Sequence, residues 1–314
     1  MKQKILLTGS CGFIFSNFLI KYCDSDYEFV SVDKIISPYN LNNIYQHKNH
    51  KFYLGDIADE HFMNNVFSLE KPDFVIHGAA ESFVDDSIAS AKPFIHSNVV
   101  GTQVMVDLSV KHKVKKFIYV STDEVYGQLF PGDTAWTEDS IVAPRNPYSA
   151  SKAAGELIVR AAAETHKLLF NITRCSNNFG PRQPPRNLIP KIITCLIHDK
   201  EIPIHGSGNN YREWLYVLDH CSAIMTVLEN GKLNETYNVG SGFELSNLET
   251  VYAISKVMNK VPKITFVKDR ASHDKRYSVN YSKLNDIGWR SQYTFDNTIK
   301  SVCQWYIDNQ EFYK

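Results

Sequence analysis

Short apolar runs alternate with helical patterns through the first half of this chain, and few folds accommodate that rhythm. Candidate strands are Lys4–Thr8, Phe29–Asp33, Lys51–Leu54, Asp73–His77, Lys116–Ser121 and Leu168–Thr173. Most are near-continuous apolar stretches, as expected of parallel strands buried on both faces. Helical periodicity fills the intervals, most clearly over Phe94–Lys111 and Pro147–Thr165. Such alternation predicts βαβ units and an α/β fold built on a doubly wound parallel sheet.

The rhythm loosens after Gly180, where Pro181, Pro184, Pro185 and Pro190 crowd into a loop that no regular element could hold. Shorter elements are expected beyond it. They are helices near Leu188–His198, Val217–Leu228, Asn247–Met258 and Thr294–Asp308, and strands near Ile202–Ile204 and Tyr237–Val239. The chain thus divides into residues 1–180, a dinucleotide-binding domain, and 181–314, a smaller substrate lobe part of which crosses back. Formal net charge is zero, and the basic stretch Lys111–Lys116 leads into an apolar strand, so a nucleic-acid partner is not expected. The N-terminal apolar run is too short for a secretory signal, and no stretch approaches the roughly 20 apolar residues of a membrane span. Six cysteines lack paired or metal-like spacing and eleven histidines show no ligand spacing. Reduced thiols, a cytoplasmic location and no metal are expected.

The segment Ile5–Ile14 reads as a strand entering a glycine turn and then a helix. Gly9 permits the tight turn, and Gly12 lets the backbone at Phe13 and Ile14 approach a pyrophosphate at the positive helix end. This is the context a Rossmann cofactor site requires. Asp33 ends the second strand, about 20 residues past the glycines, where a carboxylate accepts the adenosine ribose hydroxyls and repels a 2′-phosphate. NAD is therefore favoured over NADP, with Lys34 the neighbour that argues the other way. Asp56 and Ile57, after the third strand, suit the adenine edge; Asp56 also fits a helix N-cap.

Tyr148 and Lys152 stand at i and i+4 on one helix face. A phenol is a poor base at neutral pH. A nearby ammonium and a positive nicotinamide ring both favour its phenolate. Tyr148 can then take a hydroxyl proton while hydride leaves the same carbon, with Lys152 also holding the nicotinamide ribose. The pair gains weight from Ser121-Thr122-Asp123-Glu124, which end an apolar strand where a parallel sheet faces its ligand.

Together with Ala79-Ala80-Glu81-Ser82, Cys175–Pro181, Arg212–Val217 and Asp274–Tyr277, these motifs resemble the extended short-chain dehydrogenases. More narrowly they are similar to the nucleoside-diphosphate-glucose 4,6-dehydratases. The resemblance runs nearly end to end. The Asp-Glu pair after Thr122 is its distinguishing feature, since epimerases of the same fold generally lack it. It implies oxidation of the sugar at C4, loss of water across C5 and C6, and return of hydride to C6 with the cofactor restored. Glu124 would take the C5 proton, Asp123 would protonate the departing hydroxyl, and Thr122 would hydrogen-bond the C4 oxygen. Ala79, Ala80, Ser121 and Asn178 would line the cofactor. Ser82, Asn177, Asn187, Leu188, Asn247 and Tyr277 would face the substrate. Arg212 and Arg276 would grip its diphosphate, for which the guanidinium fork is suited. Each has a plainer reading: Arg212 a surface ion pair, Asn247 a helix N-cap, Tyr277 core packing. The resemblance also implies a place in 6-deoxyhexose (rhamnose-type) synthesis, and a homodimer joined through Phe94–Lys111 and Pro147–Thr165.

Two positions depart from the family. Phe15 replaces the third glycine of the fingerprint, and Gly78 stands where a larger apolar residue is usual. Mutual compensation is expected, the Phe15 ring filling the space Gly78 leaves. Pro185-Arg186-Asn187 replaces a Glu-Lys pair at the nucleotide, leaving dTDP and UDP both open. A sugar-nucleotide 4-epimerase and a non-catalytic NAD sensor are the competing readings. Asp123 and Glu124 argue against the first, and intact Thr122, Tyr148 and Lys152 against the second.

Overall fold

A computed structural model describes residues 2–269 and 271–313. In chain order its strands are β1 Gln3–Thr8, β2 Tyr27–Asp33, β3 His50–Leu54, β4 Phe74–His77, β5 Lys116–Thr122 and β6 Phe170–Cys175. Then follow β7 Asn177–Phe179, β8 Ile202–His205, β9 Tyr211–Tyr216, β10 Glu235–Val239, β11 Glu244–Ser246 and β12 Ile264–Val267. Seven strands form one sheet in the order β10-β6-β5-β4-β1-β2-β3, every pair parallel. The order reverses beside β1 and β4, and ligands of such sheets bind at the carboxyl ends around that point. The doubly wound fold read from the alternation is therefore present.

Alternate side chains of each strand feed two apolar layers. Ile5, Leu7, Ile118 and Val120 pack on one side with the helices Phe13–Tyr22 and Val217–Asn230. Leu6, Phe117 and Tyr119 pack on the other with Glu60–Glu70, Gly101–Lys111 and Pro147–His166. Both Val217–Asn230 and β10 follow residue 180 and yet complete the central sheet's core. The remaining C-terminal elements surround a third apolar cluster containing Phe179, Ile192, Trp214, Val251 and Val302. That lobe carries a three-stranded sheet β11-β9-β7 and a two-stranded sheet β12-β8. The helix expected over Phe94–Lys111 is interrupted: Ile95–Val100 is a π-turn joining the short helix Lys92–Phe94 to Gly101–Lys111. All six cysteines are buried and free. Among the described residues no helix is long and apolar enough to cross a membrane, and no His, Cys, Asp and Glu cluster suits a metal.

Phe15 and Gly78 meet. A Cβ built on Gly78 would lie 1.8 Å from Phe15 Cε2, and Phe15 is only 3% exposed. The ring occupies the volume a side chain at 78 would need. Gly78→Leu alone should therefore cost about 1–3 kcal/mol by overpacking, and Phe15→Ala alone about 3–5 kcal/mol by leaving a cavity. The double variant should be clearly less destabilised than the sum, since touching residues couple by about 0.5–3 kcal/mol. Urea midpoints of the four proteins check this; strict additivity would refute the compensation.

Candidate active site

The carboxyl ends of β1, β2, β4, β5 and β6 open into one cleft of about 930 Å³ running between the sheet and the C-terminal lobe. At its sheet end lie Gly9, Gly12, Phe13, Ile14, Asp33, Lys34, Ile57, Ala79 and Ala80. Gly9 has φ +79°, and a Cβ there would fall 2.8 Å from Ala79 Cα, so no other residue fits this turn. Gly12 caps the helix Phe13–Tyr22, whose first turn has no acidic residue and no side-chain cap. Its free N–H groups and dipole leave an anion site. Asp33 Oδ2 accepts the Cys11 N–H at 2.9 Å and Oδ1 the Ile35 N–H at 2.8 Å. Each oxygen keeps a lone pair toward the cleft rim. Burial holds this carboxyl above its ordinary value, with those two N–H groups partly offsetting it. Asp56 does not line the cleft. Its carboxylate pairs with Lys34 at 3.7 Å and His96 at 3.4 Å. It also accepts the Ala58 N–H, while the helix that follows is capped by Asp59.

The loop after β4 is fixed by a chain of buried hydrogen bonds. Thr8 Oγ1 accepts the N–H groups of Gly78 and Ala79, so its own proton goes to His77 Nδ1 at 2.7 Å. His77 Nε2 then carries hydrogen and donates to Thr102 Oγ1, which donates to the Asn98 carbonyl. Asn98, set by the π-turn, accepts the Glu81 N–H and donates to the Glu81 carbonyl and to Ser151. One chain thus links the glycine turn, Ala79–Glu81 and the helix bearing Tyr148.

Thr122, Glu124, Tyr148 and Lys152 line the middle of the cleft, and Asp123 lies directly behind, 1% exposed. The two adjacent carboxyls sit in different surroundings. Asp123 Oδ1 accepts from Thr122, its Oδ2 has no partner, and burial followed by the charge of Glu124 holds it well above the carboxylate range. Glu124 faces the cleft and accepts Asn146 Nδ2 at 3.2 Å. Two adjacent carboxyls thus sit in opposed surroundings, one buried and one open to the cleft. Asn146 caps the helix Pro147–His166 through a reciprocal bond with Ser149, so the cap also orients Glu124. Asn146 was not singled out from the sequence.

Lys152 is 3% exposed, donates to the Val120 carbonyl at 2.7 Å and lies 4.4 Å from the Tyr119 ring centroid. Burial lowers its ammonium to about 8. Desolvation, then the charge of Glu124, holds the Tyr148 phenol well above its ordinary value, and the Thr122 hydroxyl partly offsets this. Of its three donors, the Lys152 ammonium gives one to the Val120 carbonyl.

The far end is lined by Ser82, Asn177, Asn178, Asn187, Leu188, Arg212, Asn247 and Tyr277. Asn178 bonds His220 Nδ1 and the Ser176 carbonyl. Arg212 is 9% exposed, donates to the carbonyls of Tyr211 and Asp274 and lies 4.7 Å over the Tyr277 ring. Tyr277 donates to Asp274. Asn247 opens its helix, but the cap is Ser246 in a box with Glu249. Arg276 departs from expectation. It lies outside the cleft lining, its Nε and Nη2 clasp Glu244 at 2.6 and 2.7 Å, and Nη1 donates to the Asp133 carbonyl. The Glu244 carboxylate thus occupies the Nε/Nη2 face of the fork that the diphosphate was expected to take. Ser272, His273 and Asp274 line the cleft from the same segment instead, and Lys191 and Pro203–His205 join them. Asp274 belongs to the Asp274–Tyr277 motif; the others were not singled out from the sequence.

Buried polar atoms without a partner concentrate here: Ser121 Oγ, Ser176 Oγ, Asn177 Oδ1 and Asn187 Oδ1 all belong to cleft-lining residues. Such groups are rare in folded proteins and call for a ligand. With the glycine cradle and the uncapped helix, they fit a dinucleotide at one end and a polar, anionic substrate at the other.

His220 illustrates the cost of this burial. Asn178 Oδ1 binds its Nδ1, and its Nε2 is buried unpartnered. Burial depresses the imidazole to about 3 from an ordinary 6.5. The unfolded chain takes up a proton below pH 6.5 while the fold does not, so this residue's contribution is lost as pH falls from 6.5 toward 3. The stability gap between wild type and His220→Gln should move against wild type by about 1 kcal/mol per pH unit between pH 6.5 and 5. Denaturant melts at several pH values check it; a constant gap would refute it.

The chain matches the GDP-mannose 4,6 dehydratase family over residues 6–302. It is 43% identical to the low-salt glycan biosynthesis protein Agl12 of Haloferax volcanii, over 98% of this chain and 99% of that one. Among solved structures it is similar to DesIV, a dTDP-glucose 4,6-dehydratase of Streptomyces venezuelae with NAD bound. There the TM-score is 0.93 at 36% identity, over 99% of both chains. A UDP-glucose 4-epimerase of Thermotoga maritima also superposes at TM-score 0.93, with 26% identity over 98% of this chain and 100% of that one. Backbone likeness therefore does not separate the two reactions; side chains must.

Proposed function

The chain belongs to the GDP-mannose 4,6 dehydratase family, and from that premise we propose that it is an NAD-dependent lyase. It dehydrates a nucleoside-diphosphate-glucose to the 4-keto-6-deoxyglucose nucleotide. The observation that carries the reading is the pair of adjacent carboxyls in opposed surroundings, Asp123 buried and raised, Glu124 open to the cleft. An epimerase needs no such pair.

When bound, NAD supplies the hydride acceptor and donor, which would be held by Gly9, Gly12, Asp33, Ala79, Lys152 and the residues around them. Tyr148 removes the C4 hydroxyl proton, and Thr122 hydrogen-bonds the same oxygen. The C4 ketone acidifies C5–H, and Glu124 takes that proton. Asp123 protonates the C6 hydroxyl as it leaves as water. Glu124, its proton exchanged with solvent, later protonates C5; Tyr148 releases the C4 hydroxyl proton and Asp123 regains one from solvent, so each group is restored for the next turnover. Arg212 provides the charge for the diphosphate, its carbonyl partners leaving the guanidinium positive and without a carboxylate. Asn177, Asn187, Leu188, Asn247 and Tyr277 enclose the nucleotide sugar.

Thymine and uracil present the same hydrogen-bonding edge, so dTDP and UDP differ to this cleft only by a methyl group and a 2′-hydroxyl. Incubation with dTDP-glucose and UDP-glucose, following the 4-keto-6-deoxy product, tests the reading. Epimerisation alone, or NAD binding without turnover, would overturn it. The homodimer is part of the same proposal. Ile95, Val100 and Leu157 on the π-turn and the Tyr148 helix are 48%, 44% and 66% exposed, an apolar surface suited to the matching helices of a second copy. A monomer in sedimentation equilibrium would refute it.

A further inference from the structure

We infer that Pro181–Arg186 is a strap that retains the cofactor, and that Arg182 and Arg186 are the positioning residues that keep it shut. The inference rests on the NAD reading above. The strap leaves β7 after Gly180 and crosses the cleft, which Gln183, Pro184 and Arg186 line. Its start is tied to the glycine-turn side. Asn17, on the helix that Gly12 caps, donates to the Pro181 carbonyl at 3.0 Å. Arg182 Nη1 donates to Asn43 Oδ1 at 2.9 Å and to the Asn42 carbonyl at 3.3 Å. Asn43 is 3% exposed and donates in turn to the carbonyl of Cys11, inside the glycine turn. Its end is tied to the opposite wall. Arg186 forks onto both oxygens of Asp86 at 2.8 and 2.7 Å, with its guanidinium 3.9 Å from the Phe83 ring centroid. Phe83 and Asp86 also line the cleft.

Pro184 and Pro185 restrict the backbone between the two latches and Pro181 the residue before the first, so the segment moves as a unit and opens by releasing an end. Arg182 has φ +69°, a conformation non-glycine residues rarely adopt and one that its contacts must sustain. A cofactor restored within each turnover has no need to leave, and a stiff, double-latched strap slows its departure. The Arg186–Asp86 latch is exposed and so open to screening.

The test is release of bound NAD from the loaded protein, measured by rapid gel filtration and assay of the retained nucleotide, beside the thermal midpoint of the apoprotein. Arg182→Ala and Arg186→Ala should each release NAD about fivefold faster, with the apoprotein midpoint close to wild type. The exchanged pair Asp86→Arg/Arg186→Asp should recover slow release. Raising salt to about 1 M should speed release from wild type and leave Arg186→Ala little changed. Wild-type release rates in both alanine variants would overturn the strap while sparing the cofactor reading. A wild-type protein that takes up no NAD would overturn both.

Discussion

Glu124→Gln should lower the dehydration rate by about 10³-fold or more while NAD stays bound. The amide keeps the shape of the side chain and a partner for Asn146, whose Nδ2 lies 3.2 Å from Glu124 Oε2. What it loses is the ability to take the C5 proton. C4 oxidation precedes that step, so the variant should still oxidise substrate once per site and stall at the ketone. Two readouts check it: an absorbance rise near 340 nm on mixing with substrate, and absence of solvent exchange at C5. Full turnover in this variant would remove the base from Glu124. Asp123 does not substitute, because burial raises its carboxyl and its role is to give a proton to the C6 hydroxyl.

Tyr148→Phe should be as damaging, by about 10²–10⁴-fold, but should fail one step earlier. Without the phenol there is no acceptor for the C4 hydroxyl proton, and no oxidation signal should appear. The ring packs edge-on to Phe94 with centroids 6.4 Å apart, a contact phenylalanine preserves, so folding should be unaffected. The pH profile carries more information. Desolvation and Glu124 hold the phenol well above its ordinary value, so the fraction ionised rises with pH across the neutral and alkaline range. Wild-type activity should climb along that limb, and the residue left in Tyr148→Phe should not. An unchanged oxidation step in the variant would assign the proton to another group.

Much of this was legible before any coordinates, for physical reasons that differ by element. Strands buried on both faces cannot hide: β1, β2, β4 and β5 are apolar runs bounded by turn residues. β9 was not read as a strand, since Arg212 and Glu213 break its apolar run, yet both are buried. Glu213 is stabilised by the N–H groups of Ser241, Gly242 and Val279, partners supplied from more than 25 residues away. Buried charge with distant backbone partners leaves no local pattern. Arg276 likewise depends on a distant partner. Its residue type suits a phosphate, but Glu244, two strands away in sequence, fills the fork. The π-turn at Ile95–Val100 has the same composition as a helix and was read as one. Phe15 and Gly78 could be paired because each broke an expected pattern in the complementary direction.

The site's central residues were legible because the chemistry demands them together. Tyr148 and Lys152 share a helix face, and Thr122–Glu124 end β5 one strand from the topological switch. Their electrostatics were less so. Lys152 binds the Val120 carbonyl at 2.7 Å, while burial and the charge of Glu124 raise the Tyr148 phenol. No spacing rule distinguishes an ammonium that activates a phenol from one tied to a backbone oxygen.

Hydride bookkeeping tests the central proposal most directly. Nucleoside-diphosphate-glucose carrying deuterium at C4 should give a 4-keto-6-deoxy product with that deuterium at C6, and a C5 hydrogen drawn from solvent. Deuterium returned to C4 with inverted configuration, or product formed with the label lost to water, would contradict it.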